Sequence, residues 1–91
     1  MNILLTYDIV NTKNRTKIAT LLDGFGLRVN FSVFELDIKK KKLDKLLKSI
    51  TQLCGKHDSV RVYVFNKESI DKSFELLNRS KPFTKSSGYV D

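Results

Sequence analysis

The apolar run Ile3-Leu4-Leu5-Thr6-Tyr7-Asp8-Ile9 carries one carboxylate, and Asp8 is the first candidate for chemistry in this chain. Removing the hydration of an ionised Asp from a strand is expensive unless a partner compensates. Asp8 is therefore a structural hydrogen-bond acceptor, a partner for Arg or a metal ligand, and the residue alone leaves all three open. If a twofold axis passes near it, two copies converge, and two carboxylates repel unless a proton or cation sits between them. Mg²⁺ takes oxygen ligands and keeps most of its waters, so one Asp from each of two subunits suffices for a weak site. A metal held there would activate water or stabilise charge on a phosphodiester.

The other groups point less sharply. His57 is the one imidazole and sits in a Gly-Lys-His-Asp turn. There a general base for RNA cleavage competes with an ordinary exposed histidine, and no second histidine is present to act as acid. Cys54 extends an apolar helical stripe and reads as core. Glu35 and Asp37, two apart on one strand face, bind a cation, stay solvated or pair with lysines. Lys39 to Lys42, with Lys45 and Lys48, gather positive charge around a helix start. That placement opposes the helix dipole, so phosphate contact and a plain solvated face both fit. Arg15, Arg28, Arg61, Arg79 and Lys81 add dispersed positive charge.

Seventeen Lys and Arg against ten Asp and Glu give a formal charge of +7 in 91 residues. Such a balance favours polyanionic partners such as nucleic acid. The length fits one domain over residues 1–91 with a modest core, for which association of copies would help bury surface. A single cysteine excludes an intrachain disulfide and a multi-thiolate zinc site. No apolar stretch nears the ~20 residues of a membrane span, and no signal-peptide pattern opens the chain. The expectation is a soluble, cytoplasmic protein with no membrane partner.

The elements that must position these groups follow from periodicity. Residues 2–9 predict a strand, central because it is apolar on both faces. Asn11 to Asn14 form a turn that supplies capping side chains for a helix carrying Ile18, Leu21, Leu22 and Phe25. Gly24 and Gly26 are expected to end that helix in left-handed conformation. They follow a helix, so they are not a phosphate loop, which precedes one. Residues 27–38 alternate, as one strand or as two broken near Asn30-Phe31, with Val29, Phe31 and Val33 opposite Asn30, Ser32 and Phe34.

A second helix starts in the lysine run, with Leu43, Leu46, Leu47, Ile50, Leu53 and Cys54 as its stripe. Residues 59–66 predict a strand with Val60, Val62 and Val64 on one face and Arg61, Tyr63 and Phe65 on the other. Ile70, Phe74 and Leu77 suggest a short third helix. Gly88-Tyr89-Val90 adds an edge strand or stays frayed, and residues 79–91 form a flexible or dimer-embracing tail.

This order predicts an α+β fold, a ferredoxin-like βαββαβ sandwich whose antiparallel sheet carries both helices on one face. With the valines against the helices, the other face carries Thr6, Asp8, Asn30, Ser32, Phe34, Arg61, Tyr63 and Phe65. That face is too apolar for water and too polar for a core, which suits a subunit interface or a nucleic-acid platform. Its aromatics either pack a dimer or stack bases.

Tyr7-Asp8-Ile9, then Arg15, then Gly26-Leu27-Arg28-Val29-Asn30-Phe31-Ser32-Val33-Phe34-Glu35, then Asp58-Ser59-Val60-Arg61-Val62-Tyr63 resembles the CRISPR-associated Cas-two family. Members are the smaller subunit of the bacterial and archaeal spacer-acquisition complex. The likeness runs through residues 1–65 in order and spacing. Asn30 stands where the family usually has Gln, which keeps an amide, and no pattern is recognisable from Lys67 onward.

The resemblance implies a symmetric homodimer in which Asp8, catalytic and metal-linked, faces its copy across the interface with Mg²⁺ (or Mn²⁺) as cofactor. It implies an endonuclease acting on single-stranded RNA or double-stranded DNA, or a bridge between two dimers of the integrase subunit, Cas-one, holding new DNA. On this reading Arg15, Arg28, Lys39, Lys40 and Lys42 contact nucleic acid. Tyr7, Asn30, Ser32, Phe34 and Arg61 support the site or the interface. A toxin family of ribonucleases shares the fold, although Ser-Val-Phe-Glu speaks for the CRISPR branch. A stand-alone ribonuclease of that type and a basic binding module without chemistry are the alternatives.

Overall fold

The computed structural model describes residues 1–84. Its elements run β1 (Asn2–Asp8), α1 (Thr12–Asp23), β2 (Gly26–Asn30), β3 (Val33–Asp37), α2 (Lys40–Leu53), β4 (Ser59–Phe65) and α3 (Lys67–Lys72). The sheet order is β2-β3-β1-β4, and every pairing is antiparallel. Strand β1, the most apolar, takes a central place because both its neighbours cover its edges. Ile3, Leu5 and Tyr7 of β1 meet Ile18 and Leu22 of α1 and Leu43, Leu46 and Ile50 of α2 in one core. Both helices thus lie on one face, which makes the ferredoxin-like α+β sandwich that the sequence predicts.

Register corrects one expectation. Leu5 pairs with Phe34 and Thr6 with Val33, and directly opposed residues share a face. Leu5 is core, so Phe34 is core too: it is fully buried, with Leu36 and Ile38 beside it. Phe34 is therefore not on the uncovered face, and Val33 takes that place. The two-strand reading of residues 27–38 is the correct one, and its turn is the cause of the swap. The chain reverses at Phe31-Ser32, and β2 is irregular between Arg28 and Asn30, so alternation in β2 says nothing about β3.

The glycines also behave differently from expectation. Gly24 closes α1 with φ −75°, in right-handed conformation, and no described glycine has positive φ. Gly26 lies inside β2, where a Cβ would overlap the Glu35 carbonyl oxygen and stand 2.5 Å from Leu36 Cδ2. Its role is close approach of β2 to β3.

The open face carries Leu4, Thr6, Glu35, Arg61, Tyr63 and Phe65, and the chain beyond α3 partly covers it. Phe83 donates its N–H to Glu35 Oε1 at 2.9 Å, and its ring packs on Phe65 at 5.2 Å between centroids. Glu35 therefore serves a backbone donor rather than a lysine, while Asp37 pairs with the N-terminal ammonium at 3.3 Å. Helix α3 is shorter than the apolar spacing implies: Phe74 and Leu77 lie past its end and are exposed. The Gly88-Tyr89-Val90 strand and residues 85–91 of the tail lie outside the described residues. No described helix is long and apolar enough to cross a membrane.

Candidate functional site

A cleft of about 410 Å³ opens where β1 ends, between α1 and the β2–β3 connection. Tyr7, Asp8, Arg15, Asp23, Arg28, Phe31 and Ser32 line it. Strand alternation explains the division of labour between neighbours. Tyr7 turns under into the core, whereas Asp8 is exposed at the strand end, paired in register with Ser59 of β4. An exposed carboxylate keeps its hydration and needs no buried partner. Asp8 is thereby free to meet a ligand.

Two clamps hold the walls. On one side, Arg15 donates from Nη1 to the Ile9 carbonyl at 3.0 Å and from Nη2 to Thr12 Oγ1 at 3.1 Å. Asn11 starts the helix that carries Arg15, accepting the Asn14 N–H at 2.9 Å. The next residue along, Val10, donates its N–H to Asp58 Oδ1 at 2.8 Å, and Gly55 donates to Oδ2 at 2.6 Å. The segment immediately after Asp8 is thus pinned to α1 and to the α2–β4 turn. These two backbone donors hold the Asp58 carboxyl below its ordinary value.

A stability prediction follows from that shift. A carboxyl depressed on folding contributes stability above its unfolded value of 3.8, and the contribution is lost as pH falls through the folded value. Asp58→Asn should therefore melt below wild type at neutral pH. The difference should narrow as the pH is taken below 4 in a series of thermal melts. A gap independent of pH would contradict the assignment.

On the other side, the Phe31 carbonyl accepts three donors. They are Tyr7 Oη at 3.1 Å, Arg28 Nε at 3.0 Å and Arg28 Nη2 at 2.5 Å. The Tyr7 amide donates to the Ser32 carbonyl at 3.1 Å, and the Phe31 amide donates to Asn30 Oδ1 at 2.8 Å. Burial pushes the Tyr7 phenol up against the lowering effect of Arg28, so the hydroxyl stays protonated and donates. Phe34 supports both groups from below: Tyr7 stacks on it at 6.3 Å, and the Arg28 guanidinium stands 5.6 Å over its ring.

The structure gathers Asp8, Arg15, Arg28, Tyr7 and Ser32 around one cleft, with Asn30 and Phe34 behind its wall. It does not gather the lysines. Asn2 pairs with Asp37, so the start of α2 lies at the end of the sheet opposite Asp8. Lys39 takes the N-cap position there without a side-chain cap bond, and Lys40 bonds Asp44 at 3.2 Å. Arg61 lies on the open face of β4, where Nη1 contacts Tyr63 Oη at 3.4 Å. Sequence reasoning overlooked the parts that Asp23, Asp58 and Phe31 take. Asp58 had a usable signal, an acidic side chain two residues after a His-bearing turn's glycine-lysine pair and directly before a strand, where Asx bonding to turn amides is common.

Among the described residues no three His, Cys, Asp or Glu side chains gather into a metal site. One chain offers Asp8 at an exposed strand end, a donor set that fits only a hard cation keeping several waters. Asp8 with its counterpart from a second copy would supply the anionic ligands such a cation needs.

A four-stranded antiparallel sheet in the order β2-β3-β1-β4, backed by two helices, defines the class as a ferredoxin-like α+β domain. The family model described as CRISPR associated protein Cas2 matches residues 1–73. A relative from Synechocystis sp., described as CRISPR-associated endoribonuclease Cas2 3, is 39% identical over 61 residues, which is 66% of this chain and 66% of the relative. A Mycobacterium tuberculosis relative, described as CRISPR-associated endoribonuclease Cas2, is 38% identical over 63 residues, 69% of this chain and 56% of the relative. The chain spans about half to two thirds of the length of the curated relatives it matches.

The crystal structure of Streptococcus pyogenes Cas2 superposes with a TM-score of 0.73 at 31% identity, covering 84% of this chain and 99% of that one. A chain of a partial Cas6-RT-Cas1–Cas2 complex gives 0.73 at 28% identity, covering 86% of each. The chain belongs to the CRISPR-associated protein Cas2 family.

Proposed function

We propose that this protein is a CRISPR adaptation subunit of the cytoplasm. In this reading a homodimer binds double-stranded DNA between dimers of the integrase subunit Cas1, and carries Mg²⁺-dependent phosphodiesterase chemistry at Asp8. The observation that carries the reading is the exposed Asp8 at the end of the central strand, in one cleft with Arg15 and Arg28. Relatives named as endoribonucleases and a structural neighbour from a complex containing Cas1 support it.

Each group has a part. Arg15 and Arg28, fixed through carbonyl bonds, present their charge to a phosphate without reorganising. Asp8 and its copy in a second subunit would hold a divalent cation, Mg²⁺ or Mn²⁺, which would supply Lewis acidity for phosphodiester chemistry. Tyr7 sets the β2–β3 connection, and the open face, with Thr6, Arg61 and Tyr63, provides the contact between copies. The lysines at the far end of the sheet add a separate basic surface for duplex, since charge-driven phosphate binding needs no base contacts.

Binding to duplex DNA tests the DNA part of this reading, with purified Cas1 from the same locus added in a second arm. The affinity should fall steeply with salt, because each phosphate contact releases counterions. The double variant Lys40→Glu, Lys42→Glu should bind about tenfold or more weakly, with a shallower salt slope and little dependence on sequence. Light scattering on the same preparation should give twice the 10.5 kDa chain mass. A strict monomer that neither binds duplex nor joins Cas1 would overturn the proposal.

A further inference from the structure

Phe31 stands out from the rest of the site. Phe31 is 84% exposed, the most exposed large apolar residue among those described, yet its backbone is held on both its amide and its carbonyl. The amide is bonded to Asn30 Oδ1, and the carbonyl takes the three donors from Tyr7 and Arg28. A hydrophobic ring in water is costly, and a turn of this kind works equally well with a polar residue at its tip. Fixing the main chain beneath an exposed ring removes the ordering cost that binding would otherwise carry. The ring lines the Asp8 cleft on one side and a shallow surface with Arg28, Val29 and Asn30 on the other.

We infer that Phe31 is a stacking platform for an unpaired base whose adjoining phosphate lies between Arg15 and Arg28, so that single-stranded nucleic acid enters the Asp8 cleft by this ring. The inference rests on the phosphodiesterase reading of that cleft and adds the group that selects an unpaired strand. Charge complementarity favours this occupant: an exposed ring lining the same cleft as two guanidinium groups, Arg28 on its own wall and Arg15 on the opposite one, on a chain of net charge +7, suits a base joined to a phosphate. A duplex cannot use the ring, because its bases are already stacked and paired and present only their edges. Every base has a π-face, so the platform tolerates sequence while it discriminates strandedness.

The test is fluorescence anisotropy with the full chain, in EDTA so that nothing is cleaved. It compares a short single-stranded oligoribonucleotide with a duplex of equal length. Phe31→Ala should weaken single-strand binding about tenfold or more, the effect usual for one stacked base. Phe31→Tyr should restore it, and duplex binding should stay within about twofold in both variants. Because the side chain is solvent-exposed, both variants should keep the wild-type circular dichroism spectrum.

Equal single-strand affinity for wild type and Phe31→Ala would overturn the inference, as would a parallel loss on duplex. A loss that coincides with dissociation to monomers would overturn it too, and would assign the ring to the contact between copies. The adaptation reading fails by a different result, absence of duplex binding in the wild-type chain, while the comparison on single strands still decides the role of Phe31.

Discussion

Phe34→Ala should cost about 3–5 kcal/mol, the usual loss when a buried aromatic is truncated and its space is only partly refilled. A domain of this size has roughly 5–15 kcal/mol in total, so the variant should sit near the edge of folding at 37 °C. Phe34 is fully buried, stacked by Tyr7 and capped by the Arg28 guanidinium, so the substitution removes packing from the core and support from the cleft together. Phe34→Leu leaves a smaller void and should lose less. Urea denaturation gives both values. A cost below about 1 kcal/mol for the alanine variant would contradict the inward orientation of Phe34, because exposed positions rarely lose more than that.

That residue also shows where the sequence was legible. The run 2–9, the stripe of α2 and the valines of β4 have periods long enough to assign strand, helix and strand, and the order of elements then leaves few topologies. Facing was not legible in residues 27–38. Alternation tells which side chains share a face within a strand, but the turn at Phe31-Ser32 resets the count. The stronger clue lay within β3 itself, where Phe34, Leu36 and Ile38 are larger and more apolar than Val33, Glu35 and Asp37. Gly26 was misread for a related reason: a glycine near a helix end resembles a cap, and only the pairing of β2 with β3 shows the close approach.

The candidate site divides in the same way. Asp8 was visible because a carboxylate ending an apolar strand is locally anomalous. Arg15 and Arg28 were visible as charge, yet their bonds to the Ile9 and Phe31 carbonyls depend on the fold and leave no local trace. Asp58 reaches Val10 across 48 positions of chain. Periodicity carries no information at that separation.

Asp8→Asn carries the largest expected effect on activity. The substitution keeps shape and removes the charge that, on the proposed reading, would hold a divalent cation, whose contribution to phosphodiester chemistry is several kcal/mol. At 1.36 kcal/mol per tenfold, the loss of metal-dependent cleavage should be about a thousandfold. The fold should not suffer, because Asp8 is exposed and no hydrogen bond or ion pair from its carboxylate supports the described structure. In the absence of metal the proposed dimer should be as stable as wild type or more so, since the two carboxylates that would face each other in it no longer repel. DNA bridging with Cas1 should survive in the same variant.

Manganese binding followed by electron paramagnetic resonance, on wild type and Asp8→Asn at matched chain concentration, tests the shared-carboxylate site most directly. The account predicts one bound Mn²⁺ for every two wild-type chains and none in the variant. One ion per chain, or undiminished binding by Asp8→Asn, would contradict it.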